Sequence, residues 1–171
     1  MNKLLISAGA AAVLALTATP AAAAPVSANA SANAKIYRPL SITNNQGLDF
    51  ATLVLSGTGT YSTDVAVDQS GGLTYDNTLI TPSGTPQAAT FTVKGTSNQT
   101  VNITLPKATV SLTGSNGGTL TLTLDAPTTA TIGSSGPTTG VTFGVGGSLT
   151  LTDATTDGVY TGNFDVDADY Q

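Results

Sequence analysis

Thr109-Val-Ser-Leu-Thr-Gly-Ser-Asn-Gly-Gly-Thr-Leu-Thr-Leu-Thr-Leu124 consists of two runs in which apolar and hydroxyl side chains alternate, joined by a short segment rich in glycine and asparagine. Successive side chains of a strand point to opposite faces, so this period fits a sheet with one buried face and excludes a helix. Val110 and Leu112 on one arm, and Leu120, Leu122 and Leu124 on the other, then share a face as core positions. Asn116-Gly117 is expected to supply the positive φ angles of a tight turn. The hairpin is followed and preceded by more of the same pattern: Phe91 and Val93, then Val101, Ile103 and Leu105, read as the inward face of another pair.

Working outward, strand-like runs recur every ten residues or so. They are Leu40–Thr43, Leu48–Ser56, Thr63–Asp68, Leu73–Tyr75, Ala89–Lys94, Thr100–Leu105, Thr109–Thr113, Thr119–Asp125, Val141–Val145, Ser148–Thr152 and Val159–Tyr170. Glutamate is absent, and no stretch after the leader carries apolar residues at helical spacing. These features predict an all-β chain, an antiparallel β-sandwich. Pro82-Ser-Gly-Thr-Pro86 and the Pro/Gly/Thr-rich segment 126–140 read as loops, the second long enough for a surface role.

The chain is expected to be exported. Asn2 and Lys3 form a short charged start, Leu4 to Leu16 an apolar stretch too short to span a bilayer, and Pro20 and the alanines after it a small-residue cleavage zone. We expect a signal peptide over residues 1–23, cut after Ala23, which leaves about 148 residues, enough for one domain with a real core. No membrane span is expected in the mature chain. There is no cysteine, so an exported protein that could use disulfides does not, and thiol and iron–sulfur chemistry are excluded. The ten acids, all Asp, outnumber the five Lys and Arg, so no basic stripe could neutralise a phosphate backbone and nucleic acid is not an expected partner.

Two terminal segments bear on function. Residues 24–37 form an amino-terminal extension in which Val26, Ala28, Ala30, Ala32, Ala34 and Ile36 alternate with Ser27, Asn29, Ser31, Asn33 and Lys35. The extension is patterned as a strand, holds no turn residue from Val26 to Ile36, and is fenced from the domain at 38–171 by Arg38-Pro39. It suits either an edge strand of its own domain or an arm that adds to a neighbour's sheet. At the other end Phe164, Val166, Ala168 and Tyr170 alternate with Asn163, Asp165, Asp167 and Asp169, and the strand is expected to run to the penultimate residue.

That carboxyl-terminal strand resembles those of chaperone–usher pilus subunits, which combine alternating apolar residues, a penultimate tyrosine (here Tyr170) and a glycine fourteenth from the end (here Gly158). Over most of the mature chain, including Pro39-Leu-Ser-Ile-Thr43, Leu48-Asp-Phe50 and Tyr160-Thr-Gly-Asn-Phe164, the sequence also resembles a secreted bacterial domain-of-unknown-function family, number 4402, itself similar to archaic, cysteine-free pilins. Ala51 stands where that family pattern has glycine. The resemblance implies an immunoglobulin-like sandwich that lacks its last strand and works by donor-strand exchange in a fimbria-like surface fibre. It implies that Val26, Ala28, Ala30, Ala32, Ala34 and Ile36 enter a neighbour's groove, and that Gly158, Phe164, Val166, Ala168 and Tyr170 form the groove wall and chaperone-pairing strand. The implied partners are copies of the chain or sibling subunits, a periplasmic chaperone and an outer-membrane usher. The alternative is a self-complete surface or matrix protein with adhesin-like, carbohydrate-binding loops.

Catalysis is not expected. With neither His nor Cys, the usual general base, thiol nucleophile and zinc ligands are missing, and no Gly-x-Ser-x-Gly marks an activated serine. No pair of aspartates stands out as a glycosidase dyad. Asp165, Asp167 and Asp169 have the spacing of a calcium-loop start but lack its glycine and closing glutamate, so they read as a solvated strand face, with no metal or cofactor expected. Asp68-Gln-Ser-Gly-Gly72 reads as a turn and not a phosphate cradle, because no lysine or helix follows. Tyr61, Tyr75 and Tyr160 are the tyrosines that an adhesin could stack on sugars, although strand-face packing is their commoner use.

Overall fold

The hairpin at the centre of the sequence forms in the expected register. Strand β8 (Thr109–Gly114) pairs antiparallel with β9 (Thr119–Asp125), placing Val110 opposite Leu122 and Leu112 opposite Leu120. The positive φ angles fall one residue later than predicted, on Gly117 and Gly118 (94° and 79°) and not on Asn116. The reason is the longer loop: Gly114 N–H donates to Gly118 O and Gly117 N–H to Gly114 O, both at 3.1 Å, so the chain reverses over more than two residues and the left-handed positions move toward its end.

This computed structural model describes residues 23–56 and 58–171. The chain divides into two units, residues up to Lys35 and Ile36–Gln171. The expected signal peptide, residues 1–23, lies outside the described residues except for Ala23. From 23 to 39 the chain has no regular secondary structure and every residue is exposed. The second unit is all-β and antiparallel. Its remaining strands are β1 (Ser41–Gln46), β2 (Thr52–Leu55), β3 (Ser62–Val67), β4 (Leu73–Thr74), β5 (Ile80–Ser83), β6 (Ala89–Lys94), β7 (Thr100–Thr104), β10 (Thr129–Thr131), β11 (Val141–Thr152), β12 (Tyr160–Thr161) and β13 (Asp167–Tyr170).

Three sheets share these strands. The largest runs β1-β6-β11-β9-β8-β12, with β3 also on β11 and β4 on β3; the others are β10-β7-β13 and β2-β5. Their apolar faces meet in a common core that includes Val65, Phe91, Val93, Val101, Ile103, Leu122, Ile132, Val145 and Leu149. The rings of Phe91 and Phe143 stack in it at 5.9 Å. Outer faces carry hydroxyls and carboxylates, so the layered, sandwich-like arrangement follows from period-two patterning.

The structure corrects several expectations. Val141–Val145 and Ser148–Thr152 are one strand, β11, whose first part pairs with β6 and whose second part pairs with β3. The glycines of this strand let other chain segments approach: a Cβ at Gly144 would collide with the carbonyl oxygen of Gln69, and one at Gly146 with that of Val67. The loop at 126–140 contains β10 and the fully buried Ile132, and Pro82 and Ser83 of the other expected loop belong to β5. Proline is tolerated there because β5 pairs only with β2. Finally, Val159–Tyr170 is two ladders, β12 on β8 and β13 on β7, because the chain crosses between sheets. The alternation itself persists: Phe164, Val166, Ala168 and Tyr170 are the more buried members, and the asparagine and aspartates between them are exposed.

Candidate functional site: a cleft between two edge strands

Strand β2 hydrogen-bonds in a ladder only to β5, and β12 only to β8. Between them lies a cleft of about 1530 Å³. One lip is the segment Gly47–Leu55, which includes β2; the other is Thr155–Phe164, which includes β12. No β5 residue lines the cleft, so the edge of β2 that faces it is the edge without a ladder partner. The floor is apolar, made of Phe91 from β6, Leu112 from β8, Leu120 and Leu122 from β9, and Leu149 and Leu151 from β11. Leu122, Leu149 and Leu151 are each 4–5% exposed, so the lips cover most of the floor, and the opening is marked by Val54 and Val159, 50% and 69% exposed, one on each lip.

Local chemistry fixes both lips. The first is tied down where Asp49 and Gln87 exchange backbone hydrogen bonds, both 2.8 Å. It then turns through Ala51, whose φ of 60° is in the left-handed region and whose N–H donates to the Asp49 carboxylate at 2.7 Å. An aspartate-capped turn supports an alanine in this conformation. The second lip is held by Val159 N–H donating to Ser115 Oγ and by Ser115 N–H donating to Val159 O, both at 3.0 Å. Gly158, at φ 153°, allows that approach, since a Cβ there would sit 3.0 Å from Ser115 Oγ.

Of the residues expected to form a groove wall, Gly158 and Phe164 line the cleft. Val166 is buried in the core, and Ala168 and Tyr170 pack against the core on β13. The Tyr170 hydroxyl accepts from Thr96 N–H and donates to Arg38 O, both at 2.7 Å, and its ring lies 4.7 Å from that of Tyr37. Val26, Ala28, Ala30, Ala32, Ala34 and Ile36 are all exposed, Val26 and Ile36 by 101% and 87%. The lip at Gly47–Leu55 was not expected. Its signal is Leu53-Val54-Leu55, where an apolar residue stands on both faces of a short strand, a pattern of strands covered on both sides.

The other sites considered are placed more simply. Asp165, Asp167 and Asp169 are exposed. Asp68 closes a turn, its Oδ1 accepting from Ser70 Oγ, Ser70 N–H and Gly72 N–H at 2.6–2.8 Å. These bonds, the one from the Ser70 hydroxyl first, hold its carboxyl below the usual aspartate range; the Thr78 hydroxyl and N–H do the same for Asp76. Tyr61, Tyr75 and Tyr160 are half-buried, and the Tyr160 hydroxyl donates to Thr156 O at 2.6 Å beside a threonine-lined hollow of about 390 Å³.

The model of the family described as Domain of unknown function (DUF4402) matches residues 40–170, the whole of the β-structure that forms the cleft and its floor. No curated protein matches the chain. No solved structure matches it.

Proposed function

Because the chain belongs to the DUF4402 family, whose function is unknown, its role rests on its geometry, and we propose that it is a structural subunit of a bacterial surface fibre. Assembly would insert an extended segment from one subunit into the cleft of the next, as in the immunoglobulin-like pilins that this sequence resembles. The observation that carries the reading is the cleft: β2 and β12, each with a ladder partner on one side only, stand at its lips over an apolar floor. A strand laid between them gains main-chain hydrogen bonds on both sides, each worth about 1 kcal/mol net, and alternate side chains that reach the floor set its register. Val54 and Val159 at the opening would be covered at the same time.

The arm at 24–37 supplies what such a subunit must offer its neighbour. Val26, Ala28, Ala30, Ala32, Ala34 and Ile36 form one face of an exposed segment free of turn residues, with Val26 and Ile36 as its larger anchors. Export by the leader, passage with a periplasmic chaperone and outer-membrane usher, and display on the cell surface complete the proposal. The work done is binding and not catalysis, for which the chain offers neither histidine nor cysteine.

The test is a denaturing gel of protein sheared from the native cell surface, run with and without boiling. A ladder of multiples that collapses only on boiling is expected, because an inserted strand leaves only when all its bonds break together. Monomer in both lanes, from material abundant on the surface, would refute fibre assembly.

A further inference from the structure

The threonine-lined hollow is formed by a splay between two strands of the large sheet. The β9–β11 ladder runs from Gly146 opposite Asp125 to Leu149 opposite Leu122 and stops there. Past its end, Thr119 and Thr121 of β9 and Thr150 and Thr152 of β11 all line a hollow of about 390 Å³. Seven of its eleven lining residues are threonines, and none is charged. The pattern continues beyond it: every outward residue of β8, and every one of β9 up to Thr123, is a serine or threonine. The hydroxyls of Thr119, Thr121 and Thr123 are exposed and take no protein partner among the described residues, whereas Thr92 and Thr142, on the β6–β11 pair, bond each other at 2.8 Å. Tyr160 also lines the hollow. Its ring lies against Gly114, where a Cβ would come within 2.9 Å of it, and its hydroxyl donates to Thr156 O, so the ring is fixed in place.

We infer that this hollow is a binding site for a neutral saccharide, hydrogen-bonded by the β9 and β11 threonines beside the fixed ring of Tyr160. A hydroxyl both donates and accepts and carries no charge, so a threonine wall matches a ligand that presents neutral hydroxyls of its own. An anion would find no cation among the lining residues, and an apolar ligand would strand the hydroxyls without partners. The tyrosine supplies an apolar surface for the C–H face of a sugar ring, and the volume lies within the usual range of about 300–1,000 Å³ for small-ligand sites. A rigid flat lattice such as ice is a poor match, because each strand is rotated by about 20–25° from its neighbour. The inference goes beyond the fibre reading and does not depend on it. In a fibre the site would recur in every subunit, and repetition would strengthen individually weak contacts.

The test is an NMR titration of the full chain with neutral oligosaccharides of glucose, galactose, mannose, xylose and N-acetylglucosamine, with alginate oligosaccharides as the acidic control. At least one neutral member is expected to shift the amides of Thr119, Thr121, Thr150 and Tyr160 saturably, equally at low and high salt, and alginate to leave them in place. Thr121→Val with Thr123→Val removes two exposed hydroxyls while keeping side-chain shape and strand preference, and should weaken binding at least about tenfold with Tm unchanged. Thr104→Val, exposed on β7, should leave binding as it is. The inference is overturned if no neutral oligosaccharide of the panel binds, if high salt abolishes binding, or if the Thr121/Thr123 variant binds as the native chain does. Ice crystals shaped by the chain without any saccharide binding would overturn it as well and assign the threonine face to ice. None of these outcomes touches strand insertion, which the gel of sheared surface protein tests separately.

Discussion

The two regions nearest the ends of the chain's last segment are built in opposite ways. Around β13 everything is closed: the Tyr170 hydroxyl is hydrogen-bonded to Thr96 and Arg38, Tyr37 lies over its ring, and Gly95 has no side chain because Tyr170, Leu40 and Ile132 converge on it. Around Gly158–Phe164, a few residues earlier, the lip carries exposed Val159 and has no ladder partner beyond β12. One alternating sequence therefore serves two purposes. Its end seals one region of the domain, and its beginning borders an opening. The contrast shows that period-two patterning reports which side chains face inward and says nothing about whether a neighbouring strand is present.

The largest effect expected from this contrast is at the sealed region. Ile132→Ala removes a fully buried side chain from close packing and should cost about 2–5 kcal/mol in denaturant unfolding. Leu120→Ala, on the cleft floor and only partly buried, should cost clearly less, because the space it leaves joins one that already exists. Equal losses at the two positions would mean that the cleft is packed as tightly as the core. Next in size, Tyr170→Phe leaves Thr96 N–H without its acceptor and should cost about 1–3 kcal/mol, visible as a lower Tm. An unchanged Tm would show that the hydroxyl does not seal that region.

The cleft side offers a gain of stability in place of a loss. Ala51→Gly relieves a left-handed backbone at a residue with a Cβ and should stabilise by about 1 kcal/mol, raising Tm by a few degrees. A fall in Tm would show that the turn depends on the alanine for packing. Val54→Asp should leave monomer stability within about 0.5 kcal/mol and yet stop assembly, and Ala32→Asp on the exposed arm should do the same. Loss of folding in either would tie that residue to the subunit's own core.

The smallest effect is that of pH at the Asp68 turn. Its carboxyl has a lowered folded-state value, so the stability it contributes is fully present above the ordinary aspartate value of 3.8 and is lost as pH falls through the lower folded one. Asp68→Asn should therefore melt slightly below the native chain near neutrality, with the gap closing as pH falls below the ordinary aspartate value. A gap that stays constant would mean that the turn is held by its backbone bonds alone.

Much of the fold was legible because strands with one buried face state their periodicity outright, as Phe91/Val93 and Leu120/Leu122/Leu124 do. What escaped was set by tertiary context. Ile132 sits in a segment of Pro, Gly and Thr whose local preference is for loop, and only the free edge of β7 recruits Thr129–Thr131 into a ladder. The glycines of β11 look like breakers until the chain segments that pass beside them are known. At the candidate site Gly158 and Phe164 were readable from the terminal pattern. The opposite lip was not, because β2 is brought there by its pairing with β5, a contact between segments whose register no local sequence rule fixes.

The central claim is that the cleft stands open in the free subunit and is filled by a strand in the assembled one. The chain has no cysteine, so Val54→Cys introduces a single thiol on the lip, and its rate of alkylation can be compared in purified monomer and in unboiled material from the cell surface. The account predicts rapid labelling of the monomer and strong protection in the assembly, reversed by boiling. Equal labelling of both forms would contradict it.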